Sequence, residues 1–165
     1  MFSFDKQQVM LTHINTREEK HGPDETSLAV DLSFKADVSN DFLSELAPTL
    51  KWSLYDKPEN GDLAQDAAYM PRLRYPQLPA TPWSLVMEGA EVTLHGATAK
   101  RDITLMAKVN KLVLECQEGG TVALGFRVQT PVTPELLGAL GGMLSCKLAL
   151  SIAPPNDGGM VGGEE

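Results

Sequence analysis

At 165 residues, with 42% hydrophobic and 22% charged side chains, the chain is long enough to bury a real core and too apolar for wholesale disorder. Its formal charge of −8 argues against a general polyanion binder, and no apolar run approaches the 18 or so residues that a membrane span needs. The opening "MFSFDKQQVM" lacks a signal-peptide pattern, so the expectation is a soluble, cytoplasmic, β-rich domain over residues 1–153 with a flexible, Gly-rich acidic tail over 154–165.

The strand signal begins early, through Val9, Leu11 and His13. The next segment, "NTREEKHGPDET", reads as a polar connection because Gly22-Pro23-Asp24 is strong turn chemistry. In "LAVDLSFKADV" (28–38), Leu28, Val30, Leu32, Phe34, Ala36 and Val38 share one face, while Asp31, Ser33, Lys35 and Asp37 share the other. That period of two predicts a half-buried strand of an antiparallel sheet. "SNDFLSELAP" predicts a short helix capped by Ser39 or Asn40, buried on Phe42, Leu43 and Leu46, and limited by Pro48. "TLKWSLY" fits strand and helix alike, and "DKPENGDLAQD" has the composition of a surface loop.

"YMPRLRYPQLPATPW" (69–83) is too rich in proline for a helix or a central strand and predicts a stiff extended loop. "WSLVMEGAEVTLHG" predicts a hairpin turning at Glu88-Gly89-Ala90. Residues 102–130 predict a longer hairpin around Glu118-Gly119-Gly120, in which paired residue numbers sum to 238. Leu112 then faces Phe126, Leu114 faces Leu124 and Cys116 faces Val122, all apolar and on one side. Upstream, Ile103, Leu105, Ala107 and Val109 occupy odd positions, so a β-bulge is expected near Asn110.

"TPELLGALGGMLS" predicts the main helix, with Thr133 as cap, Pro134 in the first turn and a stripe of Leu136, Leu137, Leu140 and Leu144. Gly138, Gly141 and Gly142 suggest that its backbone lies close against a sheet. "KLALSIA" is the last strand, with Leu148, Leu150 and Ile152 inward, and Cys116 and Cys146 read as buried free thiols. Together these elements predict a mainly β, α+β fold. It has about seven antiparallel strands as a sandwich or partly open barrel, with one main helix near residues 134–145 packed on the sheet.

Catalytic signals are weak. His13, Glu18 and His21 form the best metal candidate, yet their spacing does not converge two ligands as a helical His-x-x-x-His would. His95 reads as a hairpin-edge residue rather than a general base. No serine occupies a Gly-x-Ser-x-Gly elbow, and neither glycine pair forms a phosphate-cradling loop. No catalytic residue, cofactor or metal is therefore expected, and the chain reads as a non-enzymatic protein.

The charge distribution is more informative. Residues 1–68 carry 6 Lys/Arg against 13 Asp/Glu, residues 69–111 carry 6 against 3, and residues 112–165 carry 2 against 6. The basic middle is interleaved with aromatics, a combination suited to single-stranded nucleic acid: cations for phosphate, rings for bases. The candidate contacts are Arg72, Arg74, Lys100, Arg101, Lys108, Lys111 and Arg127, with Tyr75 and Trp83 for stacking. In the 238 register Lys111 faces Arg127, a like-charge pair relieved by an acid such as Glu115 or by an anionic ligand. The plainer reading packs both rings under the loop and leaves the arginines as solubilising charge.

Two stretches, "LTHINTREEKHGPD…LAVDLSFKADVSNDFLSELAPTLKWSLY" and "LECQEGGTVALGFRVQTPVTPELLGALGGML", resemble small, largely uncharacterised proteins encoded by tailed bacteriophages and prophages. Asn15, Arg17, Glu19, His21 and Gly22, then Gly119, Gly120, Phe126 and Val128, carry the resemblance. It implies an accessory protein from the DNA replication and recombination gene region, acting in the cytoplasm of a bacterial host; it brings no catalytic residues. The expected function is therefore a phage-type binding protein in DNA metabolism, contacting single strands, with a homo-oligomer left open. The alternative is an inhibitor of a host defence or DNA-processing protein, in which Glu18, Glu19, Asp24, Glu25, Asp31 and Asp37 mimic nucleic-acid charge. A weaker alternative is a virion or assembly component.

Overall fold

The computed structural model describes residues 1–58, 67–96 and 98–155. Its strands are β1 (Phe4–Lys20), β2 (Thr26–Ser39), β3 (Tyr55–Asp56), β4 (Arg72–Leu73), β5 (Thr81–Trp83), β6 (Met87–His95), β7 (Ile103–Cys116), β8 (Thr121–Pro131) and β9 (Lys147–Ala153). The helices are α1 (Phe42–Leu46), α2 (Leu50–Leu54) and α3 (Pro134–Gly141), with a 3-10 turn at Ala99–Arg101.

The six long strands pair in the order β7-β6-β9-β1-β2-β8, and β8 pairs again with β7, so the sheet closes into an antiparallel barrel; β5 adds along β7. Of the architectures the sequence allowed, closure is the one realised. It leaves fewer free sheet edges than a sandwich would. Strands β6, β7 and β8 run as a meander and β9 returns beside β6, which is a Greek key.

This order dictates what happens at the barrel ends. Strands β8 and β9 stand three places apart on a ring of six, so their connection must cross a mouth. Helix α3 makes that crossing and buries Leu140 completely, while Leu136 and Leu137 pack on the core. Strands β2 and β6 are also opposite, and the described residues between them close the other mouth, where Phe42, Leu43, Tyr55 and Met70 are buried. Phe2 joins that plug, with ring centroids 5.2 Å from both Phe4 and Phe42 and 6.2 Å from Phe126. Tyr55 fastens it: its hydroxyl is 2.8 Å from the carbonyl of Gln117, which it can donate to, and accepts from the Gln117 amide at 3.0 Å. Burial, ahead of the neighbouring Cys116, raises the Tyr55 phenol well above its ordinary value.

The inward faces follow the sequence pattern. Leu105, Ala107 and Val109 point inward above the bulge, Leu112 and Leu114 below it, and Leu124, Phe126 and Val128 across from them. Leu114 faces Leu124 and Cys116 faces Val122 in the expected register of 238. The register shifts between Asn110 and Val113, so Arg127 lies opposite Asn110 rather than Lys111. The expected like-charge pair is thus dissolved by the bulge itself.

Other expectations are corrected. Most of the "polar connection" is strand, because β1 stays paired with β2 from His13↔Ser33 to Lys20↔Thr26, leaving 21–25 as the turn. Glu88-Gly89-Ala90 does not turn the chain. It is a register irregularity within β6, with Gly89 at φ 78°, and β7 stays paired on either side of it, at Met87↔Val109 and Ala90↔Ala107. "TLKWSLY" resolves into α2 followed by β3. Asn40 is not a helix cap; its amide donates to the carbonyl of Met70 at 2.8 Å. Cys146 is exposed and Cys116 half-buried. Leu144 lies past the end of α3 and is exposed. A side chain at Gly138 or Gly141 would meet open space, so these glycines are not demanded by sheet packing. Much of the loop read in "DKPENGDLAQD", and residues 156–165 of the tail, lie outside the described residues.

Gly138→Ala should stabilise the protein by about 0.5–1 kcal/mol. Gly96→Ala should destabilise it, because its Cβ would collide with Arg101, including the carbonyl oxygen at 2.9 Å. Thermal melts that move in the same direction would contradict this. The Tyr55 phenol stays neutral in the fold at pH values where the unfolded chain ionises, so its stabilisation is present below about pH 10 and is lost as pH rises further. Tyr55→Phe should lower stability by about 1–2 kcal/mol at neutral pH and blunt the alkaline loss, as read by denaturant titration at pH 7 and 10.5.

Candidate functional site

One flank of β7 serves two partners in succession. Strand β6 pairs with it from Leu94↔Ile103 to Met87↔Val109, and β5 pairs from Trp83↔Leu112 to Thr81↔Leu114. Between these ladders, Ser84, Leu85 and Val86 stand against Asn110 and Lys111 with no register partner. The opening is a groove of about 430 Å³ lined by Trp83, Leu85, Val86, Asn110, Lys111 and Leu112, among others. Val86 is 54% exposed at its rim and Trp83 half-buried in its wall. Lys111 holds a left-handed backbone at φ 56°, a conformation that a residue with a side chain adopts against roughly 1–2 kcal/mol of strain. Bulges of this kind re-aim side chains.

Behind the groove runs a polar chain across the outer face of the barrel. Arg17 donates to Asp31 at 3.0 Å and also pairs with Glu19 at 2.8 Å. The bond to Asp31 is the main reason that the Arg17 guanidinium is raised above its ordinary value. Gln129 donates to the same Asp31 oxygen at 3.1 Å and accepts from the Asn110 amide at 3.1 Å. The chain ends in two unmet groups: Asn110 Oδ1 and Arg127 Nε, on residues opposite each other in the ladder, are buried without a hydrogen-bond partner. Leaving such groups unsatisfied costs about 1–3 kcal/mol each.

The structure brings Trp83 and Lys111 together at this groove, with Arg127 across the ladder from Asn110 and Lys108 opposite Gln129. It separates the remaining candidates. Lys100 and Arg101 sit in the 3-10 turn before β7, about 30 Å along the strand direction from Lys111. Arg72 and Tyr75 are exposed near the β7–β8 turn, where the Gly119 amide donates to the carbonyl of Pro71 at 2.8 Å. Arg74 is occupied there, pairing with Asp56 at 2.7 Å and donating to the carbonyl of Trp52 at 3.0 Å. Of the acidic set, Asp31 is buried in the polar chain and Glu19 is engaged by Arg17, whereas Glu18, Asp24, Glu25 and Asp37 are exposed. His13 and His21 turn to different partners, Thr12 and Ser27, and no metal-binding cluster occurs among the described residues.

Sequence reasoning missed Asn110 as a site residue, although the parity switch marked its position. It also missed a second arrangement, Ser151–His95–Asp102, whose members come from β9, β6 and the connection into β7. No local spacing announces those three. Among the described residues no helix is long and apolar enough to cross a membrane. Comparison of the chain with protein families, with curated proteins and with solved structures finds no match.

Proposed function

We propose that the chain is a binding protein that holds a short single-stranded segment of nucleic acid in the groove between β5, β6 and the β7 bulge. The setting is the phage DNA metabolism that the sequence resemblance implies. One observation carries this reading: an indole and an ammonium share one open groove at a strained bulge. Trp83 offers a face for a base, and Lys111 and Lys108 offer charge for phosphate. The guanidinium of Arg127 strengthens the local positive field in a protein of net charge −8.

The site is smaller than the sequence expectation, since Arg72, Arg74, Tyr75, Lys100 and Arg101 lie away from it. Two or three phosphate contacts predict a shallow salt dependence, a slope of about −1.5 to −2 in log K against log salt. Trp83→Ala should weaken binding of a fluorescent oligonucleotide by roughly 5- to 150-fold, and Lys111→Glu should weaken it and flatten the slope. The double variant Arg72→Ala, Arg74→Ala should bind as the parent does. Anisotropy titrations at two salt concentrations check all three; parental affinity in Trp83→Ala refutes the reading.

The strained backbone supplies an independent check. Lys111→Gly relaxes the left-handed conformation and should raise stability by about 0.5–1 kcal/mol while lowering oligonucleotide affinity. A drop in melting temperature, or unchanged affinity, would show that Lys111 is not held for binding.

A further inference from the structure

On the outer face of β9, away from the groove, Ser151 Oγ lies 2.8 Å from His95 Nε2, and His95 Nδ1 lies 3.2 Å from Asp102 Oδ2. The aspartate is locked from the other side, its Oδ1 accepting from the Gly96 amide at 2.9 Å. With Asp102 ionised, Nδ1 carries the ring proton and Nε2 is left as the acceptor facing the serine hydroxyl. The Gly96 amide, ahead of His95 itself, holds the Asp102 carboxyl below its ordinary value, which keeps it ionised. Gly96 must be glycine here, since a Cβ would strike Arg101 and open the loop that sets Asp102.

A fourth group converges on the serine. Lys6 has a left-handed backbone at φ 52° where the β1–β9 register slips between Phe4 and Gln7. That irregularity turns its amide out of the ladder and onto Ser151 Oγ at 3.0 Å. A strained residue that aims one N–H at a serine hydroxyl occupies one Oγ lone pair and so helps turn the O–H toward His95. The side chains of His95 and Asp102 keep 20% and 26% of their surface exposed, and Ser151 is half-buried, so the three groups lie on the outer side of the barrel and not in its core.

We propose that Ser151, His95 and Asp102 form a serine-nucleophile site that hydrolyses small, activated carboxylic esters. Ser151 Oγ bonds to the ester carbonyl carbon as its proton passes to His95 Nε2, and the carbonyl electron pair moves onto the carbonyl oxygen. Collapse breaks the bond to the alkoxy group, which leaves as the alcohol with the proton from His95. Water then loses a proton to His95 and attacks the acyl-serine. The carboxylic acid departs and Ser151 recovers its proton. The sum is ester plus water to acid plus alcohol. Ser151 and His95 are the catalytic residues; Asp102 is a positioning residue that fixes the imidazole.

The test uses the full chain, a fluorophosphonate probe and p-nitrophenyl acetate. Peptide mapping of the labelled parent should place one adduct on Ser151, and p-nitrophenolate should be released over repeated turnovers. Ser151→Ala should abolish both. His95→Gln should slow labelling about 100-fold or more, Asp102→Asn should slow it less, and Asp102→Glu should restore part of the loss. The mapping on the parent stands without any variant. No adduct on Ser151, labelling indifferent to His95→Gln, or an adduct without ester turnover each overturns the proposal. Oligonucleotide binding is not involved, so this proposal and the groove reading stand or fall separately.

Discussion

Strand β7 has to satisfy three partners, and the rest of the molecule is arranged around that demand. On one side it pairs with β8 over most of its length; on the other it pairs first with β6 and then with β5. The β7–β8 ladder is the one that turns an open sheet into a barrel. One extra residue at Asn110–Lys111 lets the inward face change parity, from Val109 to Leu112, without exposing either. The same extra residue parts β5 from β6 on the opposite flank. Closure, core continuity and the groove therefore share a single cause.

Closure also fixes the roles of the irregular segments. With β8 opposite β9 and β2 opposite β6, both long connections must span a barrel end, and each carries the apolar residues that seal it. At the α3 end this is a leucine stripe. At the other end it is the aromatic group of Phe2, Phe4 and Phe42, pinned by Tyr55 to the base of the β7–β8 hairpin. Lys51 belongs to the same plug. It is 4% exposed, and its ammonium bonds to Asp41 and to the carbonyl of Ala68, both at 2.6 Å, so a buried charge is paired rather than orphaned.

Two of the local irregularities lie beside the two proposed sites. Lys111 and Lys6 both hold left-handed backbones beside a register slip, one at the groove and the other at Ser151. Elsewhere the outer surface is satisfied by short-range pairing, as in Arg17 with Asp31 and Arg74 with Asp56. Arg74 is thereby occupied, and Lys100, Arg101 and Arg72 stand away from the groove, so the basic middle third does not converge on one surface.

The sequence by itself determined the β-dominated class, the β7–β8 hairpin with its bulge near Asn110, the capped helix at Thr133 and the inward faces of β2, β8 and β9. Each of these is encoded within one or two adjacent segments, by a period of two, a turn dipeptide or a cap. The tertiary structure alone decided the closure of the sheet and the crossing of both ends. It also decided the continuation of β1 through the charged "NTREEK", the disarming of Arg74 by Asp56, and the meeting of Ser151 with His95 and Asp102. Those outcomes depend on which strands become neighbours. Residues 56 positions apart, as Ser151 and His95 are, leave no periodic trace in the chain that joins them.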